Sequence, residues 1–365
     1  MKFLAAFVGI ILIGISLWEG FETIILPRRV TRRFRLTRLF YRSTWVPWNA
    51  AVNLLTRPAG REHYISFYGP LSLLLLFGVW VGGLIFGFAL LHFSTGSTFT
   101  TVESIGPVDF WTDLYLSGTT FFTLGLGDVA PRTPLARFLT VAESGMGFGF
   151  LALVIGYLPA LNQSFARREV TISLLDARAG SPATAAEMIR RHARDQAMEA
   201  LRQLLHDWER WSAELLESHL SYPVLAYFRS HHDNQSWLAA LTVILDTCAL
   251  VMVGLEGACE RQAELTFAIT RHAVVDLSHI FTANLDRTED RLPPAALAEL
   301  RGVLSAAGVR LREDATADER LVELRSMYEP YVISLARRLR LTVPPWYFPG
   351  EHTDNWQASG WEHAR

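Results

Sequence analysis

The segment from Thr123 to Asp128 has the side-chain pattern with the clearest chemical use in this sequence. It reads Thr-Leu-Gly-Leu-Gly-Asp, so glycine occupies alternate positions, at Gly125 and Gly127. Glycine adopts positive φ at little cost, which lets consecutive carbonyl groups turn toward one side of a strand. A ladder of carbonyl oxygens can replace the water shell of a dehydrated cation. The pattern therefore predicts a cation site built from backbone, and no catalytic site.

The groups next to the glycines extend this site along one axis. The predicted carbonyl ligands belong to Thr123, Leu124, Gly125, Leu126 and Gly127. The Thr123 hydroxyl can add an oxygen at the inner end, and Asp128 adds a negative charge at the outer mouth. One strand covers only one side of an ion, and the chain has one copy of the segment. The sequence therefore predicts that four chains assemble around a common axis.

Residues 109–122 lead directly into this segment and must position it. As a helix they would make about four turns, which is too short to cross a bilayer. The segment is therefore predicted to enter the membrane and return. Irregular backbone at membrane depth is tolerated only where protein or a water-filled cavity surrounds it. A re-entrant helix followed by a strand on the axis of a pore meets that condition.

The remaining elements must carry this segment in a membrane. Half of the 365 residues are apolar, and residues 65–92 contain no Asp, Glu, Lys or Arg over more than the ~20 residues that a membrane helix needs. Residues 135–161 form a second, glycine-rich span, and residues 1–26 form an N-terminal one. A cleaved signal peptide is the alternative for residues 1–26, but no small-residue cleavage site follows the apolar run. The sequence predicts an all-α membrane protein with three transmembrane helices and a re-entrant pore helix.

Charge in the connections predicts the orientation. Residues 27–64 are rich in arginine and have one acidic residue, Glu62, so the positive-inside bias places them in the cytoplasm. The connection after residue 92 contains Glu103 and Asp109 but no Lys or Arg, which fits the outer face. The chain is therefore predicted to cross the cell (inner) membrane with its amino terminus on the outer side and its carboxyl terminus in the cytoplasm. Aromatic residues among the arginines predict an interfacial helix from Thr31 to Trp48, with anionic lipid headgroups bound near Arg28–Arg42, and no nucleic-acid partner.

With Pro131 after the glycines and Arg137 at the start of the next helix, this region resembles the pore of the potassium channel superfamily. The resemblance is to the prokaryotic type with two transmembrane helices and one pore loop, here with an extra N-terminal helix. In that family a pore helix precedes a Thr-x-Gly-x-Gly-Asp selectivity filter. The resemblance covers residues 65–161 and implies passive K⁺ conduction through a homotetramer.

Some positions depart from the family pattern. Leu126 stands where family filters usually place an aromatic residue that ties the filter to the pore helix. Of the aromatic residues that form a cuff around the filter in the family, this chain keeps Tyr115 but has Leu116 at the next position. Thr119 stands where many family members have a glutamate behind the filter. A Gly-Leu-Gly filter does occur in the two-pore-domain branch. The resemblance therefore implies potassium selectivity, in a filter that is less firmly braced than usual.

Two residues of the predicted inner helix are candidates for support and gating. A carboxyl group at membrane depth is costly, so Glu143 should face protein or water. It can hydrogen-bond the pore helix near Thr119 or Thr120, or face the cavity and concentrate cations. The glycines around Gly147 make a bend cheap, and Gly147 lies where family members often have a gating hinge. Close packing of small residues is the alternative reason for these glycines.

Residues 162–345 are predicted to form a cytoplasmic helical domain, followed by a polar tail at residues 346–365. The predicted helices run from Thr184 to Pro223, from Trp237 to Phe281, from Pro294 to Ala307 and from Ala317 to Arg340. The run from Trp237 to Leu255 is long enough to span a membrane. Asp246 would lie at its centre, where a carboxylate is costly, so we interpret the run as a core or subunit-contact helix.

Patterns of other protein classes are weak or missing. The sequence has no phosphate-binding loop, nucleophile elbow or calcium loop, so neither enzymatic activity nor a cofactor beyond permeant K⁺ is expected. Gly125-x-Gly127-x-x-Ala130 could be a dinucleotide-binding turn, but Pro131 and Pro134 would interrupt its helix. His231-His232-Asp233 is interpreted as a surface loop. A weakly selective cation channel and a non-conducting membrane sensor or scaffold remain as alternative functions.

Overall fold

The computed structural model divides into two compact units, residues 1–163 and residues 164–365. It describes residues 1–26, 36–57, 60–96, 98–100, 105–107, 109–193, 198–232, 235–255, 259–281, 285, 290–349 and 354. The unit boundary lies two residues after the predicted end of the inner helix. Within these described residues, four helices are long and apolar enough to cross a membrane: Lys2–Ile25, Arg61–Thr95, Pro134–Ala179 and Trp237–Gly254.

The first unit is built from helices and a small sheet. Its helices are α1 (Lys2–Gly20, extended by a π-helical turn at Phe21–Ile25), α2 (Leu36–Leu55), α3 (Arg61–Ser66), α4 (Tyr68–Thr95), α5 (Phe110–Phe121) and the start of α6 (Pro134–Ala179). The predicted outer helix at residues 65–92 corresponds to α4, and the predicted pore helix at 109–122 corresponds to α5.

Helix α1 packs closely on α4 because small residues face each other. A Cβ atom built on Gly87 would lie 3.0 Å from the Gly9 carbonyl oxygen, which is too close for an ordinary contact. Further along the same pair, Ser16 of α1 lies against Gly83. Small residues allow helix backbones to approach closely where lipid removes the hydrophobic drive for association. The N-terminal helix is thus a packed part of the first unit.

Helix α2 differs from the predicted interfacial helix. It begins at Leu36 and continues past Pro47 to Leu55, whereas the aromatic pattern predicted a helix over residues 31–48. The Glu19 carboxylate accepts hydrogen bonds from the backbone N–H of Leu36 (2.8 Å) and Thr37 (3.0 Å), which satisfies the free donors at the helix start. Arg28, Arg29 and the rest of residues 27–35 lie outside the described residues.

Part of the apolar face of α2 is buried against α4. The rings of Trp45 and Tyr68 pack edge to face, with centroids 4.6 Å apart, and the Thr44 and Tyr68 hydroxyl groups are 2.9 Å apart. Arg38 and Arg42 lie on the same helix, so the part of the predicted headgroup site that is described belongs to a helix anchored on α4.

The predicted all-α fold class is confirmed, and the first unit also has a small antiparallel sheet. Strand β1 (Thr98–Thr100) pairs with β2 (Ile105–Pro107) and also with β3 (Ala130–Pro131), in the order β2-β1-β3. The register sets Phe99 opposite Pro131 and Thr100 opposite Ala130. The sheet therefore joins the connection before α5 to the segment after residue 128. Glu103, expected on the outer face, lies outside the described residues.

The predicted inner helix ends later than expected. The onset of charge at residue 162 suggested an end at residue 161, but α6 continues to Ala179 through Pro159. The first strong stop is Gly180, whose φ of +92° ends the helix before Pro182. A change from apolar to charged residues marks a change of solvent, and it does not by itself end a helix.

The second unit is helical around α9. Its further helices are α7 (Ala185–Ala193), α8 (Met198–Ser221), a 3₁₀ turn (Pro223–Tyr227), α9 (Trp237–Gly254), α10 (Glu260–Ile280), α11 (Pro294–Ala306), α12 (Ala315–Ser326) and α13 (Glu329–Leu339). Two predicted helices are each split in two, after Gly254 and at residues 327–328, whereas residues 194–197, between α7 and α8, lie outside the described residues. Pro330 in the first turn of α13 accounts for the second of these breaks.

Helix α9 lies at the centre of this unit, and 83% of its residues are buried inside the chain. Asp246 at its middle is fully buried and pairs with Arg291 at 2.8 Å, and Arg291 also reaches Glu329 at 3.0 Å. Burial opposes the charge on Arg291, but Asp246 and Glu329 outweigh it and raise the pKa of Arg291. The carboxylate that argued against a membrane span is thus the centre of an ion-pair network.

The predicted polar tail is partly built into the second unit. Trp346 is buried, and its carbonyl oxygen accepts a hydrogen bond from the Ala186 N–H at 3.1 Å. Asp354 is buried as well and accepts a hydrogen bond from the Ser181 N–H at 3.1 Å. These contacts hold the described residues of the tail against the turn after α6 and the start of α7.

Candidate functional site

Helix α5 is fixed at its start by its own sequence. Asp109 is the N-cap residue, and its carboxylate accepts hydrogen bonds from the Thr112 N–H (3.0 Å) and the Thr112 hydroxyl (2.6 Å). A capping Asp satisfies a helix N–H that would otherwise have no partner. The opposite end of α5 carries the negative end of the helix dipole. The residues that follow it, from Thr123 onward, therefore begin at a place that favours cations.

The backbone from Thr123 to Gly127 alternates in the sign of φ. Thr123, Gly125 and Gly127 have φ of +54°, +59° and +75°, whereas Leu124 and Leu126 have negative φ. Such alternation turns successive carbonyl groups the same way, which is the arrangement that the glycine spacing predicted. Thr123 shares it although it has a side chain, at a cost of about 1–2 kcal/mol for an L-residue.

The inner end of this strand is hydrogen-bonded to α5. The Thr123 N–H donates to the Thr120 carbonyl oxygen (3.0 Å), and the Leu124 N–H donates to the Thr119 carbonyl oxygen (2.8 Å). The Thr119 hydroxyl donates to the Leu116 carbonyl oxygen of its own helix (3.0 Å). Thr119 and Thr120 therefore contact the strand through their backbone, and the Thr119 side chain does not reach it.

The outer end is held by Tyr115. Its hydroxyl donates a hydrogen bond of 2.8 Å to the Asp128 carboxylate. Tyr115 and Asp128 were expected to act separately, as part of an aromatic cuff and as charge at the mouth, and the structure brings them together. This bond links α5 to the strand past Leu126, the position that lacks the usual aromatic brace. Arg137 fixes the next segment by donating to the Pro131 carbonyl oxygen at 3.1 Å.

Glu143 is fully buried and contacts α5 one turn away from the predicted place. It is hydrogen-bonded to Ser117, whereas Thr119 or Thr120 was the expected partner. Its second oxygen lies 3.6 Å from the His92 ring of α4. Ser117 is the partner because it lies on the face of α5 that packs between α4 and α6. The sequence signal that was missed is His92, a titratable residue in an otherwise uncharged helix.

Gly147 lies against the end of α5. A Cβ atom built on it would be 2.9 Å from the carbonyl carbon of Phe121 and 3.1 Å from its Cα, with the carbonyl oxygen closer still. Gly145 and Gly149 have open space at the same position, with no described atom within 4 Å. Close packing, the alternative reason for these glycines, therefore explains Gly147 but not Gly145 or Gly149. Helix α6 is continuous through this point.

The second unit contains no assembled metal site in its described part. No group of three His, Cys, Asp or Glu side chains able to hold a metal occurs in the described residues. The His231 ring packs on Phe165, with centroids 5.3 Å apart, and Asp233 lies outside the described residues. Cys248 is buried and Cys259 is half-buried, and both are free thiols.

Comparison with known proteins identifies the first unit. Residues 75–163 match the family model described as an ion channel. This segment is an ion-channel domain of the potassium-channel type. The channel domain contains α5, the alternating strand and the part of α6 that carries Glu143 and Gly147, and it starts within α4.

One curated relative of this membrane protein is the uncharacterized membrane protein YdjJ of Bacillus subtilis (strain 168). The two chains are 26% identical over 196 residues, which is 52% of this chain and 55% of the relative. The chain thus spans about half the length of the curated relative it matches. No solved structure matches the chain.

Proposed function

We propose that the chain is one subunit of a homotetrameric, potassium-selective channel whose filter runs from Thr123 to Gly127. The observation that carries this proposal is the alternating φ of Thr123, Gly125 and Gly127 directly after a capped, membrane-depth helix. A backbone of this kind serves an ion that has lost its water. K⁺ is the permeant ligand, and no other cofactor is required.

Exposure of the filter supports assembly with other copies. Leu124 and Leu126 are 61% and 63% exposed in the single chain, and Phe122 beside them is exposed as well. Non-helical backbone at membrane depth requires protein or a water-filled cavity around it, and apolar side chains are not stable against water. Three further copies of the chain would cover these side chains and complete the ring of carbonyl groups around the ion.

The proposed placement in the membrane follows from charge. Helix α2, with Arg38 and Arg42, lies on the cytoplasmic side against anionic headgroups, and Asp128 faces the outside. The amino terminus is outside the inner membrane and the second unit is cytoplasmic. In this arrangement α9 is a core helix of a cytoplasmic regulatory or assembly domain, and α1, α4 and α6 cross the bilayer.

The deciding test is the reversal potential of the purified protein in liposomes with opposed K⁺ and Na⁺ gradients. We expect reversal near the potassium equilibrium potential. A value between the two cation potentials would indicate a weakly selective cation channel, which the missing brace at Leu126 would explain. Absence of current at every potential would refute conduction and favour a membrane sensor or scaffold.

A matched pair of variants ties the current to the filter backbone. Gly125→Ala places an L-residue at φ +59°, at about 1–2 kcal/mol in each subunit, and we expect it to abolish the current. Gly145→Ala adds the same methyl group to a helical position with open space and should conduct. Equal currents from the two variants would contradict a backbone filter at this segment.

A further inference from the structure

Three membrane elements meet at a buried polar cluster that conduction itself does not use. His92 of α4, Ser117 of α5 and Glu143 of α6 are all fully buried. Glu143 lies 3.6 Å from the His92 Nε2 atom and is hydrogen-bonded to the Ser117 hydroxyl. The same hydroxyl lies 2.7 Å from the Ile85 carbonyl oxygen of α4. The cluster lies behind α5, two turns before the filter begins at Thr123.

The hydrogen bonds of Ser117 limit how many protons the cluster can hold. Ser117 has one hydroxyl proton but two acceptors, the Ile85 carbonyl oxygen and the Glu143 carboxyl group. If Ser117 donates to Ile85, its oxygen can only accept from Glu143, so the carboxyl group must hold a proton. If Glu143 has instead passed that proton to His92, Ser117 must donate to the carboxylate. Both arrangements contain the same number of protons and leave His92 and Glu143 neutral as a pair.

The surrounding charges are few. On α5, Asp113 is buried and faces His92, whereas Asp109 is exposed at the helix start. On α6, Arg137 is turned away toward the Pro131 carbonyl oxygen. Helix α1 brings Lys2 to Gly96, one turn beyond His92. Among the described residues, these charged side chains place no Lys or Arg in contact with Glu143, so a cluster that lost its shared proton would hold a buried Glu143 carboxylate without a cationic partner.

We propose that His92, Ser117 and Glu143 share one proton in a strut that holds α5 between α4 and α6 and so keeps the filter in its conducting geometry. His92 and Ser117 are positioning residues in this strut, since neither touches the ion. The inference rests on the proposed channel function. Removal of the shared proton to water leaves an unpaired buried carboxylate, which is strongly destabilising. Conduction therefore falls as the pH rises.

The test is single-channel recording in symmetrical K⁺ over a pH series. Wild-type open probability should fall at alkaline pH, roughly tenfold or more as the buried charge becomes unpaired. Glu143→Gln keeps the shape and hydrogen bonds but cannot ionise, so it should conduct with no alkaline decline. His92→Gln should move the decline to lower pH, because the carboxylate loses its proton acceptor. Exposed controls, Glu214→Gln and His63→Gln, should retain the wild-type profile.

A Glu143→Gln channel with the wild-type pH profile would overturn the strut. A second measurement needs no variant and no current. In protein labelled with ¹³C at glutamate and at the histidine ring, the infrared spectrum should lose one band at alkaline pH. This is the carbonyl band of a protonated, buried glutamic acid or the band of a buried imidazolium, according to which residue holds the shared proton. Absence of a titrating labelled band would also overturn the proposal. A wild-type protein that conducts no K⁺ would instead refute the proposed channel function. The infrared result would then decide by itself whether the three residues share a proton.

Discussion

Replacement of Gly147 by alanine separates two explanations for this residue. The added Cβ would lie 2.9 Å from the Phe121 carbonyl carbon, whereas unstrained carbon atoms lie about 3.5–4.0 Å apart. The end of α5 must then move by about 0.6 Å or more. Because Thr123 is two residues further on, this displacement falls at the inner end of the filter.

The energetic expectation combines two opposed effects. Alanine in place of glycine stabilises a helix by about 1 kcal/mol, and overpacking of a well-packed contact costs about 1–3 kcal/mol. Gly149→Ala has the first effect alone, since no described atom lies within 4 Å of its Cβ position. Gly147→Ala should therefore be less stable than Gly149→Ala by about 1–3 kcal/mol in each subunit.

The assay pairs thermal unfolding of both variants in detergent with their open probability in liposomes. If Gly147 acts through contact with α5, Gly147→Ala should lose stability and current together. If it acts as a bending point, the current should fall while stability matches that of Gly149→Ala. A Gly147→Ala channel that is as stable and as active as Gly149→Ala would refute both explanations, including the hinge suggested by the sequence.

Three further predictions concern other contacts. Tyr115→Phe removes the 2.8 Å bond to Asp128, so the outer filter should lose its conducting form sooner when K⁺ is lowered, measured as faster decay of current; an unchanged decay would contradict the brace. Asp246→Ala leaves Arg291 buried without its main partner and should destabilise the second unit by about 3–5 kcal/mol in guanidinium unfolding followed by tryptophan fluorescence. Burial, with a contribution from Arg168, lowers the pKa of His219 to about 3. The neutral ring therefore contributes stability that is fully present above the unfolded pKa near 6.5 and is lost as the pH falls toward 3. His219→Gln should unfold less readily in acid than the wild type. His206→Gln, at an exposed position, should behave as wild type.

The sequence predicted the positive φ of Gly125 and Gly127 because glycine is a local signal. That a short segment between two long apolar runs is re-entrant stays a prediction. Thr123 shows the limit, since its positive φ comes from the hydrogen bonds of the preceding helix and not from its side chain. The missing brace at Leu126 stays a prediction, and the hydrogen bond between Tyr115 and Asp128 could not be predicted because it depends on the rotation of α5.

Partners within the membrane could not be predicted for the same reason. Glu143 was expected to meet the pore helix, but the choice of Ser117 over Thr119 depends on which face of α5 packs between its neighbours. His92 was overlooked because residues 65–92 were interpreted as a transmembrane helix from their lack of Asp, Glu, Lys and Arg. The length of α6 was underestimated because its end is set by Gly180 and not by the change in polarity.

The alternating φ of the filter has a consequence for its length. The strand is fastened at the inner end by the bond from Leu124 to Thr119 and at the outer end by the pairing of Ala130 with Thr100. Between these points the sign of φ repeats every two residues, so whether the number of residues is odd or even matters more than the number itself. Removal of one residue would turn every later carbonyl group away from the axis, whereas removal of a Leu-Gly pair would shorten the ladder and leave each remaining oxygen on the correct side. Insertions and deletions here should therefore be tolerated in even numbers or not at all.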